Sequence, residues 1–194
     1  MMKLNIKRFL LCAVIGVSLA GSLGATAAEA APTKIAIVYF SQTGNTRYLA
    51  EMIKAQTGGE LIELIPQDAY SQEYREVVAR GKRELEGKVK PPLKDGKTPS
   101  IENYDVVFIG SPNWFNTYAT PLATFFAGNS FKGKVVIPFC TYGSRVGNTL
   151  VDITKACPGA VAKEGFGAPG KEVKEAQSKA KVQKWLDGLG FKKQ

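Results

Sequence analysis

Strand-like apolar segments alternate with helix-like amphipathic segments along this chain, and this alternation most constrains its fold. Continuous apolar runs are typical of parallel strands buried on both faces, and they lie at 34–40, 60–65, 104–111, 134–141 and 160–166. Helical patterns follow them at 46–56, 71–88, 121–126, 148–156 and 171–189. Such alternation predicts an α/β fold with a doubly wound, five-stranded parallel sheet. The 194 residues fit one such domain.

The first 30 residues predict export. "MMKLNIKR" carries three cations and no acid, the run from Phe9 to Ala27 is uncharged, and "AEA" at 28–30 offers a small-x-small cleavage site. We therefore predict a signal peptide over 1–30, a domain over 31–194 and a periplasmic location. The alternative is an uncleaved membrane anchor, because the uncharged run is nearly long enough to span a bilayer.

Three of the predicted strands end in polar loops. "SQTGNT" follows the first strand, "SPNWFNTY" the third and "TYGSRVGN" the fourth. Ligands of doubly wound sheets bind beyond the carboxyl ends of the strands. The three loops therefore predict one binding site at this edge of the sheet.

The first loop has the composition of a phosphate site. A helix N-terminus presents free N–H groups to an anion, and Gly44 allows close approach of the backbone. The loop lacks the lysine of the "GxxxxGK[ST]" motif and the spacing of "GxGxxG". ATP or GTP chemistry and a Rossmann-type dinucleotide site are therefore not indicated. An ordinary polar helix cap is the alternative interpretation.

The residues of these loops resemble a known family. "YFSQTGNT" is similar to the phosphate loop of flavodoxins, and "YDVVFIGSPNWFNTYATP", "KVVIPFCTYGS" and "CPGA" resemble a group of bacterial flavodoxin-like proteins. In that group the second loop typically reads Gly-x-Pro-x-Trp-Trp-Gly-Thr. Phe115 and Asn116 stand here in place of the second Trp and the Gly.

The resemblance implies the strand order 2-1-3-4-5 and bound FMN. It implies that the phosphate is held by Ser41, Gln42, Thr43, Gly44, Asn45 and Thr46. It implies that the isoalloxazine ring is flanked by Pro112, Asn113, Trp114, Phe115 and Asn116 on one side, and by Thr141, Tyr142, Gly143 and Ser144 on the other. Trp114 and Tyr142 are the candidates for stacking on the ring, or else pack in the core or on the surface. Asn116 takes the place of a residue that must tolerate positive φ; for Asn113 and Asn116 a plain turn role is the alternative.

Several kinds of chemistry are excluded by composition. The chain has no histidine, so a Ser-His-Asp arrangement and any metal site that needs histidine are impossible. Cys140 and Cys157 cannot build a closed zinc site by themselves. About nine helical residues at 1.5 Å each separate them by about 13 Å, whereas a disulfide needs Cα atoms within about 7 Å, so we predict two free thiols. Redox chemistry would come from the flavin.

The charge is strongly basic. The chain carries a net +9, and residues 31–194 keep 23 cations and 16 acids, a net +7. An exported protein rarely meets nucleic acid, so we predict no nucleic-acid partner. An acidic redox protein or an anionic membrane surface suits the charge better, and a solvated cationic surface without a partner is the alternative.

Two classes of function agree with these observations. The first is an FMN-dependent electron-transfer protein, or a small flavin oxidoreductase, that acts outside the cytoplasm on a redox protein or a quinone-like acceptor. The second is a flavodoxin-fold binding module without redox activity. Nothing in the sequence indicates an oligomeric state.

Overall fold

A computed structural model describes residues 33–192, and the predicted signal peptide lies outside this range. The strands are β1 Ile35–Tyr39, β2 Glu60–Glu63, β3 Val106–Trp114, β4 Thr117–Tyr118, β5 Val135–Tyr142, β6 Val161–Ala162 and β7 Phe166–Pro169. The α-helices are α1 Asn45–Thr57, α2 Tyr74–Glu86, α3 Pro121–Ala127, α4 Thr149–Lys155 and α5 Ala176–Gly188, and a short 3-10 turn lies at Lys94–Gly96. Within residues 33–192, no helix is both long and apolar enough to cross a membrane.

The sheet is buried on both faces. Along β1, Ala36 and Val38 belong to one core, which includes Leu122 and Phe125 of α3. Ile37 and Tyr39, the residues between them, belong to the opposite core with side chains of α1 and α5. Alternate residues of a strand point to opposite faces, so a continuous apolar run feeds both cores. This confirms the predicted doubly wound α/β fold.

The strand order is β2-β1-β3-β5-β6 with parallel neighbours, and β7 also pairs with β5 in parallel. Since β6 and β7 lie on the same side of β5, they are two pieces of one predicted strand. The predicted order 2-1-3-4-5 is therefore confirmed.

The predicted strand over 160–166 is divided into β6 and β7 opposite Pro138 of β5. Val136 and Phe139 of β5 are three residues apart, whereas their partners Ala162 and Phe166 are four residues apart, so the β6–β7 segment carries one extra residue, a bulge. Pro138 has no N–H to donate to the ladder. A Cβ at Gly165 would lie 2.6 Å from the Pro138 carbonyl oxygen, so the bulge needs a residue without a side chain at that place. The uninterrupted strand predicted over 160–166 is wrong in this detail.

Candidate functional site

One cavity of about 860 Å³ lies at the carboxyl edge of the sheet. All but three of the predicted cofactor residues line it, namely Gln42, Thr43, Asn45, Pro112, Asn113, Trp114, Phe115, Asn116, Thr141, Tyr142, Gly143 and Ser144. The exceptions are Ser41, Gly44 and Thr46. The structure therefore brings the three predicted loops together around a single space.

The first loop leaves the start of α1 open to a ligand. Gly44 occupies the N-cap position with φ 82°, and no side chain caps the helix there. The first bond of the helical pattern runs from the Tyr48 N–H to the Gly44 carbonyl oxygen at 3.0 Å, so earlier N–H groups have no helical acceptor. The N–H of the preceding residue, Arg47, donates to Ser41 Oγ at 3.2 Å. Ser41 thus acts on the loop itself, and Gly44 shapes the backbone.

Thr46 lies beneath the cavity and does not line it. Its side chain is buried, and its Oγ1 lies 2.8 Å from Oγ1 of Thr141, which is also buried. The first turn of α1 is therefore tied to the end of β5. The structure thus gives Thr46 a role in joining two loops of the site, and the phosphate contact that the resemblance implied stays a prediction.

The second loop is a tight hairpin that the sequence did not predict. β3 continues to Trp114, and β4 pairs back on it with Trp114 opposite Thr117. Phe115 (φ 50°) and Asn116 (φ 71°) form the two-residue turn. A type I′ turn requires positive φ at both central residues. The positive φ expected at Asn116 is present, and Phe115, a residue that rarely adopts it, shares it.

The second and third loops are clamped together. Asn113 Nδ2 donates to the carbonyl oxygens of Arg145 at 2.7 Å and Val146 at 3.1 Å. The Asn148 N–H donates to the Asn116 carbonyl oxygen at 2.9 Å. Asn113 and Asn116 thus have structural bonds in addition to their position on the cavity, and these bonds fix the distance between its two walls.

Each of the two predicted stacking residues, Trp114 and Tyr142, also contacts another part of the protein. Trp114 is half-buried and meets Phe40 and Tyr70 edge-on, with ring centroids 5.5 and 5.0 Å away. Tyr142 is half-buried, and its ring lies over Gly167 of β7, where a Cβ would stand 3.3 Å from Cε1. Trp114 therefore contacts both the protein core and the cavity, whereas Tyr142 lies between the cavity and β7.

Seven further residues line the cavity that sequence reasoning missed: Gln72, Tyr74, Val77, Val78, Arg145, Gly170 and Lys171. Gly170 lies beside the first loop, because a Cβ there would stand 2.8 Å from Asn45 Nδ2. Lys171 thereby supplies a cation that the first loop lacks.

The sequence contains one sign that α2 contacts the site, namely Gly81 in the middle of a helical pattern. A Cβ there would lie 3.3 Å from the rings of both Trp114 and Phe115, so glycine lets α2 pack on the second loop.

Tyr70, whose ring contacts Trp114, belongs to a largely buried polar cluster. We call its residues, Tyr70, Arg80, Glu84 and Thr120, the Glu84 cluster. The Glu84 carboxylate accepts hydrogen bonds from Tyr70, from Thr120 and, at 2.7 Å, from Arg80 Nε. Burial alone would raise the pKa of Glu84, but these hydrogen bonds outweigh it and lower the pKa. The guanidinium of Arg80 also lies 4.0 Å from the centroid of the Tyr70 ring.

Both cysteines of the described chain are free and buried. Burial raises the pKa of each thiol to about 12, so neither forms the reactive thiolate at neutral pH. No group of three or more potential metal ligands occurs within residues 33–192.

We expect two free thiols per chain in protein purified without reductant, because Cys140 lies in β5 and Cys157 beyond the far end of α4. Thiol labelling of the unfolded mature chain, before and after reduction, measures this. Equal counts are the expected result. An increase on reduction in monomeric protein would contradict it.

Comparison with known proteins places the chain. The sequence profile of the family described as Flavodoxin matches residues 34–189. The chain belongs to the flavodoxin family. No curated protein matches it.

Solved structures of flavodoxin-like proteins are similar over most of the chain. One, described as a flavoprotein from Bacteroides eggerthii, is 32% identical with a TM-score of 0.66, over 83% of this chain and 100% of that one. Another, from Bacteroides uniformis, is 28% identical with a TM-score of 0.69, over 80% and 98%. A flavoprotein from Lactobacillus acidophilus, solved in complex with FMN, is 23% identical with a TM-score of 0.59, over 75% and 99%.

Proposed function

We propose that this flavodoxin-family protein binds FMN at the carboxyl edge of its sheet and transfers electrons outside the cytoplasm. The observation that carries the proposal is the convergence of three loops on one cavity. When bound, FMN would supply the redox chemistry. The protein's own residues would hold and orient the cofactor.

The lining of the cavity fits the phosphate of FMN. Thr43, Lys171 and Asn45 at the uncapped start of α1 all line the cavity, and Gly170, next to Lys171, lies beside Asn45. No carboxylate is among the residues that line the cavity. An anion would therefore meet N–H and hydroxyl donors and a cation, without a repelling group.

The middle of the cavity fits a flat ring. Trp114 and Phe115 belong to the second loop and Tyr142 to the third, and the clamp through Asn113 fixes the distance between these loops. An offset or edge-to-face arrangement with an aromatic ring is favourable. Contact with the core restricts the motion of Trp114, and the contact with Gly167 of β7 restricts that of Tyr142. This lowers the cost of ordering the two rings around a ligand.

The mature net charge of +7 favours an acidic redox protein as the partner, and a quinone-like molecule is the small acceptor that we propose. The same charge suits peripheral contact with an anionic membrane surface. The proposal of export rests on the N-terminal sequence pattern alone.

Reconstitution tests the central proposal. The mature chain, purified and dialysed with FMN, should retain one flavin per chain and show flavin absorbance in the visible range. A folded protein that stays colourless would contradict it and favour a binding module without redox activity.

We expect Thr43→Val to weaken FMN binding about tenfold or more. A hydrogen bond to a charged group contributes about 1.5–3 kcal/mol, and about 1.4 kcal/mol is a factor of ten in affinity. Titration of the apoprotein measures this, with riboflavin as the ligand that lacks phosphate. Thr154→Val is the control, because that hydroxyl donates to the Leu150 carbonyl oxygen in α4. Equal losses for FMN and riboflavin would place the phosphate elsewhere.

A further inference from the structure

The cavity has an apolar wall that does not belong to any of the three loops. Tyr74, Val77 and Val78 of α2, together with Gln72 just before it, form this wall, which we call the α2 patch. Val77 and Val78 are half-buried, and Tyr74 is 79% exposed at the mouth of the cavity.

The position of the α2 patch is set by Gly81. Because Gly81 has no side chain, α2 lies against the rings of Trp114 and Phe115. The patch and the second loop therefore form one continuous apolar surface. Phe115 is 43% exposed and extends this surface toward solvent.

The charges that line the cavity are all positive. Arg145 and Lys171 contribute them, and neither takes part in an ion pair within the described part of the chain. Lys171 follows Gly170, which lies beside Asn45 of the first loop, so we assign Lys171 to the proposed phosphate. Arg145 comes from the third loop, and its carbonyl oxygen is tied to Asn113 of the second loop. One cation is thus left for a second anionic group.

We propose that the α2 patch, Phe115 and Arg145 bind a second molecule beside the cofactor, namely a planar aromatic carboxylate. This inference rests on the proposed FMN site. The apolar wall favours an aromatic ring, and a guanidinium favours a carboxylate. A volume of about 860 Å³ lies near the upper end of the range of about 300–1,000 Å³ for ligand pockets, which leaves room beside a bound cofactor.

Calorimetric titration of the FMN-loaded protein with a naphthalene carboxylate, a redox-inert probe, tests the proposal. Val78→Asp places a negative charge in the apolar wall and should weaken binding more than tenfold. Arg145 is exposed, so Arg145→Gln should weaken binding about three- to fivefold, the effect expected for an exposed ion pair. The neutral probe naphthalenemethanol should lose affinity in Val78→Asp and keep it in Arg145→Gln.

Two matched variants serve as controls. Val151→Asp changes an exposed valine of α4, and Arg83→Gln changes an exposed arginine near the end of α2. Neither residue lines the cavity, so both variants should bind the probe like the parent protein. Flavin content is read first for every sample, so a failure of the FMN proposal is seen separately. Equal binding by the Val78 and Val151 variants, or displacement of FMN by the probe, would overturn the inference.

Discussion

Glu84→Ala is expected to lower the free energy of unfolding by about 3 kcal/mol. The buried hydroxyl groups of Tyr70 and Thr120 lose their charged acceptor in this variant, and each hydrogen bond to a charged group contributes about 1.5–3 kcal/mol. The Arg80 side chain is 25% exposed, so its charge is partly solvated once Glu84 is removed. Arg80 keeps hydrogen bonds to the carbonyl oxygens of Asp68 and Ala69, which places the expected loss at the low end of the sum of the two contributions. Urea unfolding of the mature apoprotein measures it.

Glu86→Ala is the control for this variant. Glu86 lies two residues along α2 with a side chain 66% exposed, and its contact with Lys82 spans 3.8 Å. Exposed pairs contribute about 0–1 kcal/mol, so this variant should unfold almost like the parent. Similar losses in both variants would show that the Glu84 cluster does not stabilise the fold.

The Glu84 contribution should also depend on pH. The pKa of Glu84 is lowered in the folded state, so its stabilisation is present above the ordinary carboxyl pKa of about 4.3. It is lost as the pH falls through the lower folded value. The difference in stability between parent and Glu84→Gln should therefore shrink in acid. A difference that stays constant down to the acid-unfolding range would contradict the assignment.

Gly110→Ala is expected to destabilise the fold by about 3 kcal/mol or more. Gly110 pairs with Phe139 across β3 and β5, and a Cβ at Gly110 would stand 2.1 Å from the Phe139 ring. Overpacking of a core costs about 1–3 kcal/mol, occasionally more, and this contact is far shorter than real Cβ contacts. Denaturant unfolding measures the loss.

Gly188→Ala is the matched control for Gly110→Ala. Nothing lies within 4 Å of a Cβ at Gly188, and its φ is not positive. Alanine there should be neutral or slightly stabilising. The double variant Gly110→Ala/Phe139→Leu should lose less free energy of unfolding than the sum of the losses of the two single variants. Additive losses would show that the ring is not the obstacle.

Local patterns along the chain were sufficient to predict the sheet and the loops of the site. The apolar runs identify the strands because both faces are covered, and the polar loops identify the edge where the strands end. The split beside Pro138 was not predicted, because it depends on which strand lies next to that proline. The hairpin at Phe115 and Asn116 was also missed, since Phe115 is a residue that rarely adopts the positive φ that both turn positions need.

The Glu84 cluster could not be recognised from the sequence for a different reason. Its four residues come from a loop, from α2 and from the position before α3, so they are not contiguous in sequence. The sequence pattern around Glu84 is that of a solvated helix with many charges. Only the packing of α2 on the second loop, which Gly81 permits, buries Glu84. The α2 wall of the cavity was missed with it.

The bonds between the second and third loops have a consequence for how this chain would acquire FMN under the proposed export. Asn113 and the N–H of Asn148 join these loops within the protein alone, so the walls of the cavity are in place once the chain has folded. Less backbone entropy is then lost when a ligand enters. Folding and loading can therefore be separate events, and under the proposed export a chain that folds without flavin would take it up afterwards from its surroundings.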